Sequence, residues 1–180
     1  MRFSIFMLFT GLIACNPASF NNNIPLPLSY IQKQIDLVFE NYPVQCLEGQ
    51  WIRIDDDEGL QTYENWTSNS PTHESWKYNP QVQFHGYSYA KANNDIVWQE
   101  ESTLFLYPDK ADLLVKLSNG HSVKYKCTAT SSDNYLVCVN KKNDYPKKIE
   151  YWINCDTLKT FISGGGPDVP FTFKRNISSK

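Results

Sequence analysis

The chain has 180 residues, with 17 basic and 19 acidic side chains and a formal net charge of -2 at neutral pH. Lysine and arginine are scattered along it, so it lacks the basic patch that nucleic-acid binding requires, and no nucleic-acid partner is predicted. A chain of this length has room for one domain with its own hydrophobic core.

The N-terminal segment has the anatomy of an export signal. Arg2 precedes an apolar stretch over residues 5–14, which is too short to span a hydrocarbon core of about 30 Å. The sequence Leu12-Ile13-Ala14-Cys15 resembles a bacterial lipobox. The resemblance implies that residues 1–14 are a signal peptide and that Cys15 becomes the first mature residue and carries a lipid. A plain secretory signal is the alternative.

The residue after the cysteine bears on localisation. Lipoproteins retained at the inner membrane carry Asp at this place, whereas this chain has Asn16. The resemblance therefore implies an outer-membrane lipoprotein of the bacterial cell envelope that faces the periplasm. Because two or more acyl chains make a stable anchor, the membrane is the expected partner of Cys15.

A tether and a short helix are predicted next. Residues 15–28 are expected to form a flexible tether, because they contain three prolines and four asparagines and no apolar periodicity. An amphipathic helix is predicted within residues 29–45, with Ser29 as its N-cap and Pro43 as its stop signal. The apolar residues that recur there at helical spacing are Ile31, Ile35, Val38 and Phe39.

Residues 46–180 are predicted to form one all-β domain. Short segments rich in β-branched and aromatic residues alternate with Gly, Pro, Asn and Asp. The predicted strands are 49–55, 60–67, 73–78, 81–90, 95–107, 111–118, 121–130, 135–140, 148–154, 157–163 and 169–175. Because closing the sheet removes exposed strand edges, we expect an antiparallel up-and-down β-barrel preceded by one short helix.

Four cysteines follow Cys15, and an even number in an exported protein indicates disulfides. Residues 123–139 have the pattern of a hairpin with its turn at 131–134. If Thr130 faces Tyr135, Cys127 faces Cys138 within disulfide reach. Cys46 and Cys155 would then pair by elimination. The cysteine and histidine spacings do not match those of zinc sites, so no metal is predicted.

Several motifs along residues 47–175 come in the order seen in one family. They are Gly49-Gln50-Trp51, Glu64-Asn65-Trp66, Gly86-Tyr87-Ser88-Tyr89, Glu101-x-x-Leu104, Asn140 to Tyr151, Leu158 to Gly164 and Phe171-x-Phe173-x-Arg175. They resemble a lipocalin-like domain of unknown function from small exported bacterial proteins, whose hallmark is N-P-x-H-D-[FY]-P-x-x-I-x-Y. The resemblance implies a lipocalin-like barrel closed by Trp51 and Arg175, with Gly49 admitting a close backbone. Lys141 and Asn143 depart from the hallmark.

The candidate pocket or turn residues are Glu64, Trp66, Glu101, Asp144, Tyr145 and Pro146. An arrangement in which Glu64 and Glu101 both point into the barrel with Arg175 is open to them, and it is interpreted as a structural acid–base network rather than a catalytic one. Asp144-Tyr145-Pro146 is interpreted first as a turn and second as a binding element. The sequence contains no nucleophile, metalloprotease or phosphate-loop motif, so neither catalysis nor a cofactor is predicted.

Two function classes stay open. The first is a carrier of a small hydrophobic or amphipathic molecule, which is the class that we favour. The second is an interaction protein, such as an inhibitor or an envelope-assembly partner, that presents the acidic loop over residues 55–58 to a basic partner. A cavity of about 300 Å³ or more favours the carrier, and a filled barrel favours the interaction protein.

Overall fold

The computed structural model describes residues 26–42, 44–69, 82–130 and 134–177. The predicted signal peptide, Cys15, most of the tether, the predicted strand 73–78 and turn residues 131–133 lie outside these ranges. Across the described ranges, no helix has the length and apolar character needed to cross a bilayer.

Ten strands of the described residues form a closed antiparallel barrel, in which β1 pairs with β10. The strands are β1 Gly49–Arg53, β2 Leu60–Asn69, β3 Val82–Ala92, β4 Asp95–Leu106, β5 Ala111–Leu117, β6 Ser122–Thr130, β7 Tyr135–Val139, β8 Lys148–Ile153, β9 Thr157–Ser163 and β10 Val169–Arg175. Each strand pairs with its neighbours in the chain, so the predicted up-and-down barrel is confirmed. Apart from 73–78, every predicted strand is present, with bounds that differ by at most two residues.

Helix α1, Leu28–Asn41, packs on one end of the barrel. Asn41 Nδ2 donates a hydrogen bond to the Pro108 carbonyl in the β4–β5 turn at 3.0 Å. The prediction that Ser29 caps the helix was wrong, because Pro27 occupies the N-cap position and its carbonyl accepts the first backbone N–H groups. Tyr42 is extended, the conformation that a following proline favours, and the helix therefore ends before residue 45.

The barrel half beneath α1 is filled. Successive residues of a strand point to opposite faces, so every second side chain enters the interior. The leucines that fill this half are at most 1% exposed: Leu104, Leu106, Leu113, Leu136 and Leu158. Val38 of the helix and Leu47 belong to the same core.

Both predicted disulfides are confirmed. Cys127 and Cys138 are directly opposite in the β6–β7 pair, with Thr130 opposite Tyr135, as the hairpin register predicts. Cys46 is bonded to Cys155, which ties the segment before β1 to the β8–β9 turn.

The first and last strands meet at Trp51 and Arg175. Trp51 is fully buried, its indole N–H donates to the Leu47 carbonyl at 2.9 Å, and the Arg175 guanidinium carbon lies 4.2 Å from the ring centroid. A Cβ at Gly49 would collide with this guanidinium. Arg175 also donates to three backbone carbonyls, those of Cys46, Glu48 and Cys155. These contacts join the two ends of the domain.

Candidate functional site

The half of the barrel away from α1 is hollow. A cavity of about 390 Å³ is lined by residues of β1 to β6 and β8 to β10 and by Asn143, Tyr145 and Pro146 of the β7–β8 connection. Its apolar and aromatic lining includes Ala90, Val115, Val123, Ile149, Ile162 and Phe173. Leu60 and Trp98 line it as well and are partly exposed, which places the mouth at the β1–β2 and β3–β4 turns.

Two carboxyl groups face this cavity from neighbouring parts of its wall. Glu64 on β2 and Glu100 on β4 both line it, and both are directly opposite Ser88 on the strand between them. Ser88 is buried. The two carboxyl groups therefore flank one hydroxyl on the same face of the sheet.

The hypothesis that Glu101 points into the barrel with Glu64 and Arg175 was wrong. The Glu101 side chain is 64% exposed and lies 3.4 Å from Lys116 Nζ on the outer surface. The reason is strand parity: Leu104 and Leu106 face the interior, so the even-numbered residues of β4 do too. Glu100 thus takes the interior position, while Arg175 binds carbonyls at the other end.

The environment of the two acids favours their protonated forms. Burial raises the pKa of Glu64 to about 7, against the opposing effect of the hydrogen bond from Trp66 Nε1 to Oε2 at 3.0 Å. Burial, together with the charge of Glu64, raises the pKa of Glu100 to about 7. Among the ion pairs of the described residues, none joins either acid to a cation.

Trp66 contributes to the site through Glu64 and does not itself line the cavity. Its ring packs over Gly86, where a Cβ would lie 2.9 Å from three ring atoms. The same ring meets Tyr151 edge to face, with centroids 6.4 Å apart. Trp66 therefore holds both Glu64 and the aromatic ring of Tyr151 in place.

Two tyrosines share the interior with the acids. Burial, followed by the charge of Glu100, raises the pKa of Tyr125 to about 12. Burial and the charges of Glu64 and Glu100 raise the pKa of Tyr151 well above its ordinary value. Both phenols therefore keep their protons, and the cavity holds two titrating carboxyls beside two neutral hydroxyls.

The segment Asn143 to Pro146 is both a turn and part of the cavity wall. Asn143, Tyr145 and Pro146 line the cavity, whereas Asp144 does not. The Pro146 carbonyl accepts hydrogen bonds from Asn143 Nδ2 at 2.8 Å and from the Tyr125 hydroxyl at 3.1 Å. The turn thereby orients Tyr125, whose hydroxyl also accepts a hydrogen bond from Asn143 Nδ2 at 3.1 Å.

The cation at the mouth is already paired. Arg53 lines the cavity, but its Nε lies 2.7 Å from Asp55 and its guanidinium 3.3 Å from Asp56. The guanidinium also lies over the Phe171 ring, 4.5 Å from the centroid. Arg53 is thus used to hold the β1–β2 turn.

Two buried hydroxyls on the cavity wall have no hydrogen-bond partner in the described part of the chain. They are the Tyr145 hydroxyl and Thr160 Oγ1. Buried polar groups are nearly always hydrogen-bonded, so these two hydroxyls have unused hydrogen-bonding capacity.

Comparisons with known proteins add no relative: a scan against protein-family models and a search of curated proteins both found no match. In the part of the chain that the structure describes, no grouping of His, Cys, Asp and Glu could hold a metal ion.

Sequence reasoning missed four of the interior polar residues: Glu100, Tyr125, Tyr151 and Thr160. The alternation along β4 could have identified Glu100, because Glu100 lies an even number of residues before the apolar Leu104 and Leu106 and so shares their face of the strand. Tyr125 likewise lies two residues before Cys127, whose predicted disulfide is inside the barrel.

Proposed function

We propose that the protein is a carrier, anchored to the envelope through Cys15, that binds a small hydrophobic or amphipathic molecule inside its barrel without catalysis. The observation that supports this most is the cavity of about 390 Å³, a size within the range of ligand pockets. Such pockets combine an apolar lining with a few converging polar groups, and this cavity has both.

The mouth of the cavity suits an apolar molecule. Trp98 is 43% exposed and Leu60 is 39% exposed, and both also line the cavity. A ligand that enters past these two side chains meets apolar surface beside the charged β1–β2 turn, and its transfer into the barrel is favoured by burial of apolar surface.

The acidic loop gives less support to an interaction protein. The Asp55 carboxylate accepts hydrogen bonds from Arg53 and from the Thr172 backbone. The Asp56 carboxylate accepts bonds from both the backbone and the hydroxyl of Thr62. These two charges stabilise the loop itself. This use reduces the negative charge that the loop presents to a basic partner.

A binding experiment tests the carrier function. We expect the mature protein to bind the uncharged fluorophore N-phenyl-1-naphthylamine saturably, with one site per chain and enhanced emission. Val115 lines the cavity, so Val115→Trp should fill the space and weaken binding by about tenfold or more. Titration of fluorophore emission gives the affinities.

Leu114→Trp is the matched control, because Leu114 is the next residue on β5 and points to the outer face. It should leave the affinity unchanged. Thermal melts of both variants would show that each is folded. If the fluorophore does not bind, or binds both variants and the parent protein equally, the carrier function is wrong.

The anchor is tested separately. Cys15→Ser should abolish incorporation of an alkyne-tagged fatty acid in growing cells, because the thiol that accepts the lipid is gone. Ser19→Ala, in the predicted tether, should keep full labelling. A parent protein without label, or a labelled Cys15→Ser variant, would contradict lipidation at this residue.

A further inference from the structure

We infer that the molecule bound in the cavity is a small organic cation, with its charged nitrogen between Glu64 and Glu100 and its apolar body towards the mouth. This inference rests on the proposed function, because it names the chemical class of the ligand for that same cavity.

The charged side chains that line the cavity in the described residues are predominantly acidic. They are Arg53, Asp56, Asp57, Glu64 and Glu100. Arg53 is the one cation in this set, and it is paired with Asp55 and Asp56. The acids deeper in the cavity have no such partner, so the interior attracts positive charge and disfavours negative charge.

The two carboxyls are placed to share one ammonium group. Because Glu64 and Glu100 both lie opposite Ser88, they are two strands apart on the same face. Neighbouring strands are about 4.8 Å apart, so long side chains from these two positions reach a common point above Ser88. An ammonium group has three N–H donors, which matches two carboxylates and one hydroxyl.

A cation also explains why two acids lie inside an otherwise apolar wall. Burying a carboxylate without a partner is unfavourable, and the protein supplies no cation to either acid in the described residues. A positively charged ligand would offset this desolvation and would convert both acids to their ionised forms.

The wall near the acids provides further contacts for such a ligand. The titratable groups that face Glu64 and Glu100 from other strands are Tyr125 and Tyr151, both with neutral hydroxyls and aromatic rings. Aromatic rings stabilise cations that lie near them. Thr160 is 6% exposed, lines the cavity and has an unpaired hydroxyl, which can accept a hydrogen bond from the ligand.

Competition between ligands of nearly equal shape tests this inference. The bound fluorophore is displaced with 1-naphthylmethylamine, 1-naphthylmethanol or 1-naphthoate, which differ chiefly in charge. At about pH 8, where both acids are ionised, the amine should bind about tenfold to hundredfold more tightly than the alcohol. The naphthoate should bind more weakly than either.

The preference should depend on pH with a definite sign. Below the pKa of about 7, both acids become protonated while the amine stays charged, so the advantage of the amine should shrink towards about pH 5. The affinity of the alcohol should change little. Binding of the amine near pH 7 should also release protons, which calorimetry in buffers of different ionisation enthalpy detects.

Variants separate the acid pair from general effects of charge. The double variant with Glu64→Gln and Glu100→Gln should bind the alcohol as before and lose the preference for the amine. Glu101→Gln is the matched control, because it removes the same charge from the adjacent outward position and should keep the preference.

The outcomes are distinct. If the alcohol binds as well as the amine at about pH 8, the cation inference is wrong while the carrier function stands. A preference for the alcohol would show that the protonated acids serve as hydrogen-bond donors to a neutral ligand, which also contradicts it. If the fluorophore binds and none of the three compounds displaces it, the cation inference is wrong; if the fluorophore itself does not bind, both proposals fail.

Discussion

Replacing Trp51 by alanine is expected to lower the free energy of unfolding by about 3 to 5 kcal/mol. The indole is fully buried, and truncation leaves a cavity at the junction of β1 and β10. The change also removes the hydrogen bond to the Leu47 carbonyl and the ring over which the Arg175 guanidinium lies. Several kinds of stabilisation are therefore lost together at the barrel closure.

Urea denaturation followed by far-ultraviolet circular dichroism measures this effect without relying on tryptophan emission. Trp152→Ala is the control, because Trp152 is 39% exposed on the outer surface and packs against the Tyr135 ring. It should cost about 1 kcal/mol. Equal losses for the two variants would mean that Trp51 has no special part in closing the barrel.

The second expected result is that the empty protein becomes less stable as the pH rises through neutrality, because of Glu64 and Glu100. Their pKa values are about 7 in the folded protein, against an ordinary value of 4.5 for a solvated glutamate of the unfolded chain. The folded state therefore binds more protons than the unfolded state between these values. The contribution of the acids to stability is fully present below about pH 4.5 and is lost as the pH rises through about 7.

The double variant with Glu64→Gln and Glu100→Gln lacks this dependence. Its free energy of unfolding should exceed that of the parent protein by roughly 3 kcal/mol at about pH 8. Each pKa unit corresponds to about 1.4 kcal/mol, and partial hydration of the two carboxyls reduces the sum of their contributions. The excess should be absent at about pH 4. Denaturation curves at both pH values measure it.

Glu101→Gln again serves as the control, and its stability should follow that of the parent protein at both pH values. If the free energy of unfolding of the double variant changes with pH as that of the parent protein does, the two acids are not desolvated in the folded state. A gain in stability at high pH would mean that the cavity retains the two acids at a cost, as functional sites commonly do.

The sequence by itself determined the architecture and the covalent cross-links. Strand positions follow from local signals, namely apolar alternation and turn residues. Nine of the ten strand pairings of the described residues then join strands that are consecutive in the chain, and the tenth joins β1 to β10. The Cys127–Cys138 disulfide followed from the length of one hairpin, and Cys46–Cys155 from the cysteines that remained.

The tertiary structure decided the composition of the site. Whether Glu100 or Glu101 faces inwards depends on the parity of β4 relative to the barrel interior, and a shift of one residue exchanges the two faces. Sequence motifs directed attention to Glu101, which is paired with Lys116 outside the barrel. Tyr125 on β6, and Tyr151 and Thr160 directly opposite each other on β8 and β9, line the same cavity as the acids of β2 and β4, which are distant in the chain.

The hollow half of the barrel is the feature that the sequence could indicate least. Interior volume depends on strand number, strand tilt and the way in which side chains from all strands pack together, and none of these is a local property. Leucines fill one half of the barrel, and smaller residues such as Ala90 and Val115 line the other. No local sequence pattern distinguishes the two sets. Only closure of the ten strands brings them together and leaves a cavity that contains two acids.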